Sequence, residues 1–151
     1  MTFTLMGLNK IHIYEQAVVK MLNMDNWKLK WAGNSYKHYD AIGKTPKGHE
    51  CVIEMKFRNK HYNTKMIEKF KYDKLIGTGK VALYFVNDPK ANYLFWLNDI
   101  EMPEPVKKYC PDTTIWTKKR VLKPVYLLEE SKAIIINKNQ NGLNKNNFEN
   151  N

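Results

Sequence analysis

The 151-residue chain carries 25 Lys and Arg against 15 Asp and Glu, a formal charge of +10, with 43% apolar and 13% aromatic residues. That length and apolar content suit one packed domain and exclude two, while the charge surplus favours a polyanionic partner such as nucleic acid. No stretch reaches the apolar length of a membrane span and residues 1–10 lack a secretory leader pattern, so a cytoplasmic protein without membrane contact is expected.

In chain order, apolar residues at Ile11, Tyr14, Val18 and Met21 or Leu22 follow helical spacing and predict a helix over 11–22. Trp27 to Trp31 alternates apolar and basic residues like a half-buried strand, and a second strand is expected from Tyr36 to Ile42. Pro46 and Gly48 then suit the second and fourth positions of a type I turn. Beyond it, Cys51, Ile53, Met55 and Phe57 share one face of a strand, and Val52, Glu54 and Lys56 share the other.

Asn63 or Thr64 is the expected cap of a basic amphipathic helix through Met66, Ile67, Phe70 and Ile76, stopping at Gly77. The continuous apolar run Val81 to Val86 reads as a central strand covered on both faces, joined to the preceding strand by a right-handed parallel crossover. Tyr93 to Leu97 is expected as a strand, Met102 to Pro111 as a surface loop, and 121–128 and 133–136 as short strands. The Asn- and Lys-rich stretch 137–151 is too polar to repay the entropy of ordering, leaving a single domain over 1–136 and a disordered tail.

Strand alternation puts Glu54 and Lys56 on one face, and the turn brings Asp40 across from positions 52 to 54. A hard divalent cation takes oxygen ligands, commonly one or two carboxylates with water and phosphate completing the shell. Asp40, Glu54 and a neighbouring backbone carbonyl, that of Met55, fit this requirement. Lys56 beside them can orient a water or neutralise charge developing on phosphate oxygens.

Tyr39-Asp40-Ala41 followed by Ile53-Glu54-Met55-Lys56-Phe57, in the order strand, Asp, turn, Glu-x-Lys, helix, strand, resembles the PD-(D/E)XK nuclease superfamily over roughly residues 11–86. The resemblance implies an α/β restriction-endonuclease-like core, a mixed sheet flanked by helices in the order αβββαβ with extra C-terminal strands. It further implies a Mg²⁺- or Mn²⁺-dependent deoxyribonuclease in which Asp40 and Glu54 are metal ligands and Lys56 is the catalytic lysine. Some branches add a Glu from the first helix, here Glu15. Tyr39 replaces the eponymous proline, and Glu68 with Tyr72 stands where other branches carry Gln and Tyr.

Arg58, Lys65, Lys69 and Tyr72 are the candidate nucleic-acid contacts. A small domain without a specificity module suits structure-selective cleavage in recombination or repair, and a homodimer suits substrates with two strands to cut. The Asn- and Lys-rich composition suggests a phage or mobile-element source. Two alternatives stay open: an inactive nuclease-fold protein binding DNA or protein, and a structural or inhibitory effector. Cys51 and Cys110 lack zinc or disulfide spacing, and His12, His38, His49 and His61 show no ligand spacing, so zinc is not expected. The aromatics Trp27, Trp31, Tyr84, Phe85, Phe95 and Trp96 are assigned to packing.

Overall fold

The computed structural model describes residues 2–111 and 119–136. Its elements are α1 (Thr2–Asn23), β1 (Lys28–Trp31), β2 (Ala41–Lys44), β3 (Glu50–Phe57), β4 (Thr64–Glu68), α2 (Lys69–Ile76), β5 (Val81–Asn87), β6 (Asn92–Trp96), β7 (Val106–Pro111), β8 (Arg120–Glu129) and β9 (Ile134–Ile136). A six-stranded sheet has the order β1-β2-β3-β5-β6-β9, and a three-stranded sheet has the order β4-β8-β7. The β3–β5 pair is parallel, as the crossover predicts, and its neighbours in the large sheet are antiparallel.

The large sheet is buried on both faces. Val18 and Leu22 of α1 pack with Trp27, Ile53, Met55, Leu83 and Phe85 on one side. On the other, Val52, Tyr84 and Val86 meet Leu75 of α2 and Ile67, Tyr126 and Leu128 of the small sheet. The alternation read from 51–57 and the two-sided burial of 81–86 therefore both hold. Asn23 fixes α1 to the sheet, because its Oδ1 accepts from the Leu29 N–H at 2.8 Å and its Nδ2 donates to the Leu29 carbonyl at 3.1 Å.

The β2–β3 turn forms as expected, with the Gly48 N–H donating to the Thr45 carbonyl at 2.9 Å and Gly48 at φ 91°. A left-handed φ of that kind suits a residue without a Cβ.

Three expectations are corrected. The strand expected over 36–42 begins only at Ala41; the preceding residues are irregular and Tyr36 is fully exposed. Residues 64–68, expected as the start of a helix, form β4, so α2 begins at Lys69. Thr64, Met66 and Glu68 are half-buried while Lys65 and Ile67 are buried, a period of two that pairing with β8 enforces. The expected loop over 102–111 contains β7, whose terminal Pro111 is tolerated because β7 is an edge strand. The tail expected over 137–151 lies outside the described residues.

Candidate active site

Ala41 pairs with Ile53 in the β2–β3 register, so Asp40, one residue earlier, stands across from Glu54. The backbone of Asp40 is held from both sides. Its N–H donates to the Ile53 carbonyl at 2.8 Å, and its carbonyl accepts from the Ala32 N–H at 2.8 Å. Its side chain turns toward β3, where Oδ2 accepts the Met55 N–H at 2.8 Å.

Burial, then repulsion from Glu54 and from Glu15, raises the Asp40 pKa to about 8; the Met55 N–H and the charge of Lys71 oppose this without cancelling it. Three carboxylates are thus gathered closely enough to repel. Glu15, buried on α1, accepts a hydrogen bond from the Trp31 indole Nε1 at 2.9 Å. Gly33 covers that bond so tightly that a Cβ there would collide with the Glu15 carboxylate and the Trp31 ring.

Glu54 is almost fully buried, and its Oε2 lies 3.0 Å from Nζ of Lys71. Burial alone would lower the Lys71 pKa, but the charge and hydrogen bond of Glu54, helped less strongly by the charges of Glu68 and Asp40, leave it raised. Lys56 behaves oppositely: burial, then the Lys71 ammonium, lowers its pKa against the attraction of Glu54. Two lysines and two carboxylates therefore form one electrostatic unit.

Lys71 is absent from the set read from sequence, although one signal pointed to it. It lies four residues before Leu75, the buried residue of α2, and so shares its inward face.

Glu54, Lys56, Arg58, Glu68, Lys71 and Tyr84 line a cavity of about 110 Å³. Tyr84 is positioned by donating to the Met66 carbonyl at 2.6 Å. A wider basic cavity of about 360 Å³ shares Arg58, Met66 and Tyr84 with it and adds Lys60, Lys108 and Arg120. A third, of about 620 Å³, is lined by His49, Asn98, Asp99 and Glu101 and includes none of these carboxylates.

The other expected contacts separate. Arg58 lines both the small and the wider cavity and is hydrogen-bonded to Tyr84. Lys69 is partly exposed and pairs with Asp73 at 2.8 Å. Tyr72 meets Tyr126 edge-on, with ring centroids 5.1 Å apart. Lys65 is not on the helix: it is buried on β4, bound to the Tyr62 carbonyl and, at 3.0 Å, to Asp88, which engages its ammonium inside the protein.

Among the described residues no three His, Cys, Asp or Glu side chains form a ready-made cation cage. The chemistry of the donor set nevertheless fits a hard divalent ion, which needs only one or two carboxylates from protein.

No family model matches the chain, and no curated protein does. Among solved structures it is similar to Hjc of Archaeoglobus fulgidus, a Holliday junction resolvase from an archaeal hyperthermophile. The TM-score is 0.51 and the identity 15%, covering 77% of this chain and 88% of that one. At that identity the likeness is one of fold. A mixed sheet flanked by helices, with an antiparallel β2–β3 hairpin leading into a parallel β3–β5 pair, thus places the chain in the restriction-endonuclease-like fold that this resolvase shares.

Proposed function

We propose that the chain is a divalent-metal-dependent endonuclease that hydrolyses DNA phosphodiesters at branched or flapped structures. The observation that carries this reading is the facing pair Asp40 and Glu54, where burial and then repulsion between the carboxylates raise Asp40 to about 8, with Lys56 two residues beyond Glu54 on its strand. Unlike charges would relieve such crowding, and a divalent ion supplies two of them.

Asp40, Glu54 and the Met55 carbonyl would hold Mg²⁺ or Mn²⁺, with Glu15 as a further carboxylate. A bound ion would polarise the phosphodiester and acidify a water. Water oxygen attacks phosphorus, one P–O ester bond breaks, and the departing oxygen takes up a proton. Lys56 orients the attacking water and offsets the charge growing on the phosphate. Arg58, with Lys60, Lys108 and Arg120 around the wider cavity, binds flanking phosphates.

Among the described residues no helix is long and apolar enough to cross a membrane. Action in the cytoplasm, and as a homodimer on substrates with two strands to cut, belongs to the same proposal. The resolvase activity of the structural neighbour supports a branched substrate. The test is cleavage of flapped, four-way, single-stranded and plain duplex DNA in Mg²⁺ or Mn²⁺. We expect the branched forms to be cut in preference to plain duplex, and Lys56→Ala to lose cleavage by roughly 100-fold or more; equal cleavage of all forms would refute structure selectivity.

A second reading, an inactive nuclease-fold protein that binds DNA, is favoured by the Lys71 contact, since a cation already faces Glu54. Binding of branched DNA without cleavage in either metal would establish it.

A further inference from the structure

We propose that Lys71 is a tethered counter-cation that occupies the metal-binding side of Glu54 and is displaced when a divalent ion enters. The inference rests on the nuclease reading above and concerns a residue of α2 outside the strand motif. Its Nζ lies 3.0 Å from Glu54 Oε2, and the Glu54 side chain is only 8% exposed against 33% for Lys71. The carboxylate is thus fixed in the interior, whereas the lysine reaches it from the rim.

Lys71 also interacts electrostatically with Asp40 and Glu68, and its charge repels that of Lys56. A single ammonium therefore serves the carboxylates that a cation would serve. A buried carboxylate left without a partner is costly, so the metal-free fold needs such a charge. An ion entering on the Oε2 side would meet the Lys71 ammonium at contact distance, where like charges repel, so the Lys71 contact is the one it displaces.

The long, flexible side chain can swing away without moving α2. Released, Lys71 still lines the same small cavity as Lys56 and Arg58, where a phosphate would meet it. Lys71 is in this account a positioning residue that sets metal affinity, and it becomes a phosphate contact only after the ion is bound.

The test is direct Mn²⁺ titration of the full chain by calorimetry and by loss of the free-ion paramagnetic resonance signal. Lys71→Met keeps the side-chain volume and removes the charge, and is expected to tighten Mn²⁺ binding by about tenfold. Lys71→Arg, which keeps the charge, should stay within about threefold of wild type. Lys74→Met on the same helix, exposed over the Phe70 ring, is the control and should leave affinity unchanged. Equal or weaker Mn²⁺ binding by Lys71→Met would overturn the inference while leaving the metal site intact. Absence of Mn²⁺ binding in wild type and Lys71→Met alike would overturn both the inference and the metal-dependent reading.

Discussion

Asp40 is the residue on which the electrostatics converge. Its pKa of about 8 lies above the usual 3.8, so in the metal-free fold it holds a proton that the unfolded chain would release. Stability from this group is complete below pH 3.8 and is lost as pH rises through about 8. In a chelating buffer, wild type should therefore lose stability between pH 5 and pH 8, by roughly 3–4 kcal/mol. Asp40→Asn, which can still accept the Met55 N–H, should flatten that slope; urea melts at the two pH values measure it. A slope unchanged in the variant would mean that Asp40 is not the titrating group. Gly33→Ala makes a separate point, since the added methyl meets the Glu15 carboxylate and the Trp31 ring. A loss of about 1–3 kcal/mol in the same melts is expected.

At the level of elements, the small sheet is tied to the large one by a buried ion cluster. Lys65 of β4 reaches Asp88, between β5 and β6, at 3.0 Å, and Glu130, just after β8, at 3.4 Å, while His61 Nδ1 lies 2.8 Å from Asp88. Lys65 also lies over the Tyr93 ring, 4.2 Å from its centroid. Removing one member of a buried pair strands the other, so Lys65→Met should destabilise the fold by about 3–5 kcal/mol in chemical denaturation. A loss under about 1 kcal/mol would show that the cluster is solvated.

Local patterning and long-range pairing differ in how far they can be read from the sequence. The face of β3 was legible because alternation is local, and the opposition of Asp40 to Glu54 because Pro46 and Gly48 set the hairpin. By contrast, β4 pairs Met66 with Leu127 and Ile67 with Tyr126, partners some 60 residues away that no local window contains. Helical and strand spacing also overlap in a five-residue segment, so Met66 and Ile67 fall into one helical stripe with Phe70. Lys71 was obscured for a related reason: a lysine among many on a basic helix looks solvated until the strand beneath it supplies a carboxylate.

For the molecule as a whole, the architecture gathers chemistry at one place. Helix α1 brings Glu15, the β2 entry brings Asp40, β3 brings Glu54 and Lys56, and α2 brings Lys71. Beside them, the wider cavity carries Arg58, Lys60, Lys108 and Arg120, in keeping with a chain of net charge +10. The fold shared with an archaeal resolvase supplies the frame, and at 15% identity these residues must carry the functional argument themselves. Under the proposed function, Glu54 holds the metal ion that drives phosphodiester hydrolysis. The most direct measurement is single-turnover cleavage of a labelled flap duplex in Mn²⁺ by wild type and Glu54→Gln, each repeated in EDTA. Cleavage by wild type in Mn²⁺ alone is expected, with a loss of roughly 100-fold or more in the variant. Cleavage that persists in EDTA, or in Glu54→Gln at the wild-type rate, would contradict this role of Glu54.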